Sequence, residues 1–469
     1  MYNPHPVATQ RKSRQAEAAL QARRQARVLA LLRRYGWNAT SFQVLEPGLR
    51  YHFDGRDACV AYVDTGRALV VAGAPIAPEE RVGEVAARFA SFAGRCGRRV
   101  RFFAVADRFL ERASFASIQV GEQPSWDPAG WEVILRGSRS LREQLRRARA
   151  RGVRVRPLAP EEVEGGAARE RIERLIARWL GAKQMAPMGF LVQLQPFGHA
   201  GERRLFVAEQ EGRIVGFLAA VPIYARRGWF FEDLLRDPAA PNGTAELLVD
   251  AAMRAAAEEG SRYVTLGLAP LAGVGGWLGT VGRLGRGLYD FAGLAAFKAK
   301  LRPHAWEPIH LAFPRGDGAF SALRDTLAAF ARGGLLRFGV ETLLRVPTVV
   351  IELLAAALLP WTLLLALAPA RYFPAPWIQW GWVAFDLALF AALLRLARRW
   401  SHRLATALAT VVTLDAAVTW LQAIVWNLRR IEGPGDAAAI AAGAFAPAIA
   451  AVLLWRARWH RRRLAALRG

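Results

Sequence analysis

The sequence has few of the residues that build metal sites and disulfide frameworks. Only two cysteines, Cys59 and Cys96, occur in 469 residues. No CxxC motif or cysteine–histidine cluster accompanies them, so the sequence predicts neither a disulfide framework nor a zinc site. We expect a reducing compartment and predict no metal and no cofactor.

The N-terminus also lacks a long apolar segment, and the whole chain is poor in acids. In the first 30 residues nothing exceeds the short apolar run at 28–32, so we expect no cleavable signal sequence and a cytoplasmic N-terminal part. Lys and Arg number 64 against 39 Asp and Glu, which gives a formal charge of +25. This excess favours anionic partners such as phospholipid headgroups or RNA.

The first segment, 1–36, is predicted to form a basic amphipathic helix over 11–35, because Leu20, Val28, Leu31 and Leu32 recur at helical spacing. Such a helix either lies on anionic lipid or packs as a solvated helix on the following domain. The second arrangement is the commoner one, and we expect it here.

Two α/β units are predicted next, at 37–137 and 138–315, because short β-rich runs alternate with helical stretches. Predicted strands of the first unit lie at 58–63, 68–72, 100–105 and 131–135, with a helix at 80–94. Predicted strands of the second lie at 205–209, 214–222, 228–234 and 263–267, with a helix at 244–259. Their similar size and style indicate a duplicated fold.

The chain then changes character, after a predicted linker at 316–346. Four apolar stretches follow, each close to the roughly 20 residues that a membrane-crossing helix needs. They lie at 347–369, 377–397, 404–426 and 436–455. Tryptophans concentrate near their ends, as is typical of membrane interfaces. We therefore predict that 347–469 is an all-α transmembrane bundle with a basic tail.

Arginines in two places predict the orientation of this bundle. Arg395, Arg398, Arg399 and Arg403 separate the second and third stretches, and five more arginines follow the fourth. By the positive-inside rule both sets lie in the cytoplasm, so we expect a multi-pass protein of the inner membrane with the N-terminal units and the tail cytoplasmic.

Two acids are predicted to lie inside the membrane. Asp386 and Asp415 fall near the middles of the second and third stretches, where ionisable groups are costly. They mark either a polar pathway or one structural hydrogen-bonded pair.

The segment 230–270 carries the most chemical information. Asp233 and Arg236 stand near the end of a predicted strand, and Pro241-Asn242-Gly243-Thr244 opens the helix that follows. Unpaired N–H groups and the helix dipole at such a start can hold an anion. The alternative is an ordinary helix cap beside a solvent-exposed salt bridge.

Acetyltransferases of the GNAT type use a similar strand and helix start to hold coenzyme A. Their phosphate-binding loop has the pattern Q/R-x-x-G-x-G/A, whereas the corresponding place here reads APNGT. The glycine-rich run at 273–287 lacks the required first residue and follows the next strand. This difference weakens the coenzyme A interpretation.

The segment resembles the C-terminal synthase domain of the phosphatidylglycerol lysyltransferases, the multiple peptide resistance factors. The resemblance covers roughly 37–315 and is strongest over 230–314. It depends on the following motifs: DLLR at 233–236, APNGT at 240–244, LGLAPL at 266–271, YDFAGL at 289–294, FKAK at 297–300, WEP at 306–308 and LAFP at 311–314. It implies a tandem of GNAT-like units that moves an amino acid from aminoacyl-tRNA to a lipid hydroxyl, usually that of phosphatidylglycerol.

The resemblance also implies roles for individual residues. Asp233, predicted with Arg236 as catalytic, would recognise the substrate's amino group or assist deprotonation. Arg236, Lys298 and Lys300 would bind phosphate of tRNA or lipid. The remaining predicted substrate-binding residues are Asn242, Gly243, Thr244, Gly267 and Glu307. Asn242 and Thr244 would hold the aminoacyl or phosphate end, and Glu307 would support the pocket.

Arginines dominate residues 142–156, where seven arginines face the single acid Glu143. Arg142, Arg146 and Arg149 are the predicted phosphate contacts. This density favours a tRNA acceptor stem or an anionic membrane surface, with binding that weakens steeply in salt.

The domain order differs from that of the family, in which the synthase domain follows many membrane helices. A lipid-flipping activity is therefore not expected, and the bundle is interpreted as an anchor on the lipid side. Two alternatives to aminoacyl transfer stay open: an N-acyltransferase that uses acyl-CoA, and a membrane-tethered binding protein without activity. The sequence leaves both the amino acid and the lipid acceptor open.

Overall fold

The computed structural model describes residues 5–182, 188–276, 291–331, 334, 335, 337–339, 342 and 347–466. The chain divides into two compact units, one formed mainly by residues up to 337 and the other mainly by 338–469. We call them the α/β unit and the helical unit.

Twelve strands of the described α/β unit form one mixed sheet. The strands are β1 Arg50–Asp54, β2 Ala58–Asp64, β3 Ala68–Ala72, β4 Arg99–Ala106, β5 Ala116–Trp126, β6 Arg154–Leu158, β7 Arg204–Gln210, β8 Arg213–Ile223, β9 Gly228–Arg236, β10 Tyr263–Thr265, β11 Ala269–Pro270 and β12 Ala305–Phe313. The helices around it are α1 His5–Tyr35, α2 Val82–Arg95, α3 Asp107–Arg112, α4 Trp131–Gly137, α5 Arg139–Ala150, α6 Pro160–Glu164, α7 Ala167–Ala182, α8 Thr244–Glu258, α9 Phe291–Lys300 and α10 Ala319–Phe330.

One arrangement of elements occurs twice in this sheet. In the first half β1, β2 and β3 pair antiparallel, and β4 pairs parallel with β3 after helix α2. In the second half β7, β8 and β9 pair antiparallel, and β10 pairs parallel with β9 after helix α8. The repetition confirms the α/β class and the duplicated organisation predicted from the sequence.

The last strand joins the two halves into a continuous sheet. The strand order is β1-β2-β3-β4-β12-β5-β10-β9-β8-β7-β6, so β12 lies between β4 and β5. Its Leu311 pairs with Phe103 on one side and Ile118 on the other. A strand from the second predicted unit therefore completes the first half of the sheet.

One predicted strand is wrong. Residues 131–135 form the start of helix α4, and Asp127 accepts a hydrogen bond from the N–H of Ala129 in the 3₁₀ turn just before it. Trp131 and Leu135 are both buried, and their spacing of four places them on one face of a helix. A strand would have turned residues four apart to one face as well, so the apolar pattern alone did not distinguish the two.

Both segments that flank the predicted α/β units pack against the sheet. In α1, Val28 and Leu32 are fully buried, which is the packed arrangement expected for this helix. Residues 316–346, predicted as a linker, begin with helix α10. Its Ala322 is fully buried, and its Asp325 accepts a hydrogen bond from the buried Arg101 of β4. The α/β unit thus extends beyond Phe313.

The helical unit contains four helices long and apolar enough to cross a membrane. They are α11 Pro347–Leu367, α12 Pro376–Arg398, α13 His402–Gln422 and α14 Pro434–Ala466. They coincide with the four stretches predicted from composition, although α14 continues to Ala466 and so includes arginines predicted as a tail. The four helices identify the chain as a membrane protein.

Each of the two predicted membrane acids accepts a hydrogen bond from a threonine. Thr362 of α11 donates to Asp386 of α12 over 3.5 Å, and Thr419 donates to Asp415 within α13 over 3.3 Å. Among the described residues no hydrogen bond joins the two carboxylates directly. Whether they serve a polar pathway stays a prediction.

Candidate active site

Asp233 occupies the most unusual environment among the predicted site residues. It lies on β9 opposite Ala219 of β8 and is only 6% exposed. Its Oδ2 atom has no hydrogen-bond partner among the described residues. Burial raises the pKa of Asp233 well above its usual value, the charge of Glu232 raises it further, and the charge of Arg203 opposes both.

Glu232 lies beside it, where the pairing of β8 and β9 is irregular. Ala219 pairs with Asp233 and Ala220 with Phe231, so Glu232 is the extra residue of a β-bulge. Its Oε2 atom accepts a 2.6 Å hydrogen bond from the buried Arg203, whereas Oε1 has no partner in the described part of the chain. Bulges often redirect side chains next to active sites.

Together these side chains form what we call the acidic pair, Asp233 and Glu232, and Arg203 is the one cation that pairs with it among the described residues. Arg203 is held in place by a 2.7 Å hydrogen bond from its Nε to the carbonyl of Gly198 and lies 5.4 Å from the ring centre of Phe42. Two carboxyl groups and one guanidinium leave one negative charge when both acids are ionised. A buried site of this kind can bind a cationic group, because a cation would satisfy the two orphaned oxygens.

The structure separates Asp233 from its predicted catalytic partner Arg236. Side chains alternate along a strand, so Asp233 and Leu235 lie on one face of β9 and Arg236 lies on the other with Leu234. Arg236 is partly exposed and donates a 3.0 Å hydrogen bond to Oδ1 of Asn242. The two residues therefore do not form one catalytic group.

The start of α8 is packed rather than open. Gly243 has a φ of +96°, and a side chain there would approach the carbonyl oxygen of Gln144 in α5 to 2.2 Å. Thr244 is fully buried and donates its hydroxyl to the carbonyl of Pro241 over 2.7 Å. Ala240, Pro241 and Asn242 of the APNGT run border an open cavity of about 420 Å³, which is lined also by Arg151 and Gln210.

Lys298 is buried, and its ammonium group already donates three hydrogen bonds. Its Nζ donates to the carbonyls of Leu266, Gly267 and Leu268 over 2.8, 2.8 and 2.9 Å. Burial lowers the pKa of Lys298 to about 7, but three acceptors require the three N–H groups that only the ammonium form has. No N–H is left for a phosphate, so this geometry does not support the predicted phosphate contact.

The carbonyls that Lys298 binds belong to a tight turn after β10. Gly267 has a φ of +69°, and a side chain there would collide with the ring of Phe230, which explains the glycine. The N–H of Gly267 donates to Oγ1 of Thr265. Lys298 and Gly267 thus stabilise the turn that follows β10, and their role in substrate binding stays a prediction.

We expect Lys298→Met to destabilise the α/β unit by about 2–4 kcal/mol, because three buried carbonyls would lose their donor. Arg302→Met is the matched control, since exposed Arg302 donates one 3.1 Å bond to the carbonyl of Gly137. Its loss should cost less than about 1 kcal/mol. Chemical unfolding followed by tryptophan fluorescence measures both, and equal effects of the two substitutions would contradict the assignment.

Lys300 and Glu307 are paired with protein groups as well. Lys300 donates to the buried Glu246 over 2.6 Å. Glu307 forms two 2.9 Å bonds with Arg226 and accepts a 3.1 Å bond from Tyr263. Burial raises the pKa of Glu307, but the bonds and the charge of Arg226 outweigh burial and keep that pKa below its usual value. Glu307 is therefore ionised, and its carboxylate is held by Arg226 and Tyr263.

The arginines of α5 have different partners. Arg142 donates to the carbonyl of Leu135 over 2.8 Å, and Arg149 donates over 2.8 Å to the buried Asp250 of α8. Arg146 is 72% exposed and pairs with Glu143 over 2.8 Å. Arg146 is thus more exposed than Arg149, whose side chain is 55% exposed.

Sequence reasoning missed Glu232, Arg203 and Asp250. Asp250 is 2% exposed and accepts hydrogen bonds from Trp131, Arg149 and Arg254 at 2.8–3.0 Å, so it links α4, α5 and α8. The consecutive acids Glu232 and Asp233 in an otherwise apolar strand were an available signal. Glycines 282, 285 and 287, which belong to the glycine-rich run compared above with the coenzyme A loop, lie outside the described residues.

The described chain is thus a duplicated α/β domain with a buried acidic pair, accompanied by a bundle of membrane-length helices. Residues 29–313 match the family described as phosphatidylglycerol lysyltransferase, C-terminal. The chain belongs to this family, as its motifs predicted.

Two curated relatives are similar to part of the chain. The phosphatidylglycerol lysyltransferase of Bacillus subtilis (strain 168) is 27% identical over 308 residues, 61% of this chain and 35% of the relative. The lysylphosphatidylglycerol biosynthesis bifunctional protein LysX of Nocardia farcinica (strain IFM 10152) is 25% identical over 271 residues, 53% of this chain and 23% of the relative. The match thus spans about a third or less of either relative.

Two solved structures share the fold. A DUF2156 C-terminal domain from Agrobacterium fabrum has a TM-score of 0.58 at 22% identity, covering 67% of this chain and 99% of that domain. L-PGS from Bacillus licheniformis has a TM-score of 0.55 at 21% identity, covering 65% of this chain and 95% of that chain. At these identities the comparison establishes the fold of the α/β unit.

Proposed function

We propose that this protein transfers an amino acid from an aminoacyl-tRNA to the hydroxyl of a membrane lipid, with lysine and phosphatidylglycerol as the first candidates. The family and the names of the two curated relatives support the reaction class. The observation that carries the proposal is the acidic pair together with Arg203. An aminoacyl ester always presents an ammonium group, and lysine presents two.

The reaction replaces one ester by another. The lipid hydroxyl oxygen forms a bond to the aminoacyl carbonyl carbon, the bond from that carbon to the tRNA ribose oxygen breaks, and the proton of the lipid hydroxyl goes to the ribose oxygen. The enzyme chiefly has to position both substrates and stabilise the oxyanion of the intermediate. In this proposal Asp233 and Glu232 bind the ammonium group and so orient the carbonyl for attack.

The tRNA would lie along the outer surface of α5. Arg146 and Arg147 are 72% and 60% exposed there, and Arg151 follows at the end of the helix. Arg151 also lines the cavity beside Asn242, so the basic surface continues to the loop before α8. Exposed arginines suit phosphate contacts, since their planar donors match phosphate oxygens.

The membrane orientation is part of the same proposal. By the positive-inside rule, the arginines at the C-terminal ends of α12 and α14 would lie in the cytoplasm. Aminoacyl-tRNA is a cytoplasmic substrate, so the α/β unit should lie on that side of the inner membrane. The helical unit would then anchor the enzyme beside its lipid acceptor.

A lipid analysis tests the function. The full chain is expressed in a host without aminoacylated lipids, and its membranes are supplied with labelled lysine, ATP, tRNA and lysyl-tRNA synthetase. We expect a new lipid with the mass of lysyl-phosphatidylglycerol, and we expect none to form when the tRNA is digested with ribonuclease before the reaction. The same membranes with labelled acyl-CoA should yield no labelled product.

Two results would contradict the proposal. Folded, membrane-inserted protein that forms no aminoacylated lipid with any of the twenty charged amino acids would exclude lipid aminoacylation. Label that enters the product from acyl-CoA and resists ribonuclease would favour the N-acyltransferase alternative.

A further inference from the structure

The end of helix α12 carries a cavity that neither the family nor the proposed reaction assigns. Its volume is about 540 Å³, and its described lining consists of Ala391, Leu394, Arg395, Arg398 and Arg399. Ala391, Arg395 and Arg398 follow at intervals of four and three residues, so they form one face of the helix. The cavity therefore has an apolar half towards the middle of the helix and a cationic half at its end.

In the part of the chain that the structure describes, no acid pairs with the cationic half. Among the described residues no ion pair joins Arg395, Arg398 or Arg399 to an acid. The sequence contains no Asp or Glu in 387–414 or in 437–469. Within α12, Asp386 lies nine residues before Arg395, about 13 Å along the helix axis.

Other arginines reinforce the positive charge of this end. Helix α14 packs along α13, and Arg458 of α14 donates a 2.7 Å hydrogen bond to Thr406 near the start of α13. Arg403 of α13 and Arg456 of α14 therefore belong to the same end of the bundle. On the neighbouring helix α11 the acid closest to the helix start is the exposed Glu352, and it forms no ion pair with the three arginines in the described structure.

The apolar half continues outward along the surface of the bundle. Leu387, one turn before Ala391, is 51% exposed. On a helix of membrane-spanning length, such an exposed apolar surface contacts acyl chains. A ligand of this cavity thus meets guanidinium groups at one end and hydrocarbon at the other.

We propose that this cavity binds one anionic phospholipid, with its phosphate among Arg395, Arg398 and Arg399 and an acyl chain along Ala391 and Leu394. Guanidinium groups bind phosphate through paired hydrogen bonds, and basic pockets at the cytoplasmic ends of membrane helices recognise anionic headgroups. Free phosphate would use only the cationic half. The site belongs to the helical unit and stands independently of the proposed aminoacyl transfer.

Lipid retention tests this site without tRNA or catalysis. The full chain is reconstituted in vesicles of equal phosphatidylglycerol and phosphatidylcholine, extracted in mild detergent, and its bound lipids are counted by native mass spectrometry. We expect one phosphatidylglycerol to be retained in preference to phosphatidylcholine. The triple variant R395Q/R398Q/R399Q should lower this retention by about tenfold or more, since each basic residue contributes to anionic lipid binding.

A charge-matched variant distinguishes a specific lipid site from general electrostatic attraction by the positive end of the bundle. R403Q/R456Q/R462Q removes the same charge from the same end of the bundle but leaves the cavity intact, so retention should change by less than about threefold. Three results would overturn the proposal. They are equal losses of retention in the two triple variants, equal retention of both lipids, and no retained lipid in the native chain.

Two further arms cover the remaining outcomes. Ala391→Trp fills the apolar half and keeps every arginine, so it should also reduce phosphatidylglycerol retention. This variant tests the site even if the triple arginine variant fails to insert into the membrane. Inorganic phosphate at millimolar concentration should not displace the lipid. Displacement by phosphate together with unchanged retention in Ala391→Trp would identify an anion site and exclude a lipid site.

Discussion

Asp233→Asn is expected to reduce aminoacyl transfer about 100-fold while leaving the protein at least as stable as the native chain. The activity falls because a charged partner of the substrate's ammonium group is lost from a buried site, worth about 3 kcal/mol. Stability does not fall because the carboxylate is buried with an orphaned oxygen and a neighbouring acid, whereas an amide carries no charge to desolvate.

The pH dependence of stability has a definite sign. The pKa of Asp233 is raised in the folded protein, so folded Asp233 holds its proton to higher pH than unfolded Asp233 does. The native chain therefore loses stability as pH rises from about 4, the usual aspartate value, through the raised pKa. The advantage of Asp233→Asn in thermal midpoint should grow over the same interval.

Glu232→Gln provides the comparison within the acidic pair. It removes charge beside Asp233 and weakens the 2.6 Å bond to buried Arg203, so it should lower both activity and stability. Initial rates with purified Lys-tRNA and lipid vesicles, together with thermal unfolding between pH 4 and 8, measure both properties. An Asp233→Asn enzyme with native activity would refute the assigned role of this residue.

Arg101→Met should destabilise the α/β unit by about 3–5 kcal/mol without a direct effect on the acidic pair. Arg101 is fully buried and donates to Asp325 over 3.0 Å, to Asp317 and to Ser321. Without Arg101, the buried Asp325 keeps only the partly exposed Arg99 and Arg324, at 3.1 and 3.2 Å, so its charge loses its one fully buried partner. Helix α10 should then detach most readily, as faster hydrogen exchange over 319–330 would report.

Two variants make this result specific. Arg98→Met removes a partly exposed partner of Asp64 at 3.2 Å and should cost less than about 1 kcal/mol. Arg101→Met/Asp325→Leu removes both buried charges and should recover part of the lost stability. If the double variant is less stable than the sum of the two single changes predicts, electrostatic compensation is not the reason for the pairing.

Local sequence patterns predicted most elements of the α/β unit. Strand β3 was predicted with its observed bounds, because Ala68–Ala72 is a continuous apolar run and the strand is buried on both faces. Helix α8 was predicted to within one residue, since its apolar positions recur at helical spacing. The strand predicted at 131–135 was wrong because five residues are too few to separate the period of a helix from that of a strand.

The candidate site was predictable only in part. Asp233 was identified from its motif, but Glu232 was not, because only the pairing of β9 with β8 decides where a bulge occurs. Lys298 shows the same limit. Its nearest acceptors lie about 30 residues away in the chain, so a sequence pattern contains no sign that they saturate it.

By itself the sequence determined the family, the α/β class and the membrane helices, because motifs, periodicity and hydrophobic length are properties of short segments. Tertiary structure alone decided which charged groups face solvent and which face each other. The reason is that burial and pairing depend on contacts between distant segments, as with Arg203 and Glu232 or Arg101 and Asp325. The scarce acids of this basic chain thus acquire their distinct roles only after folding.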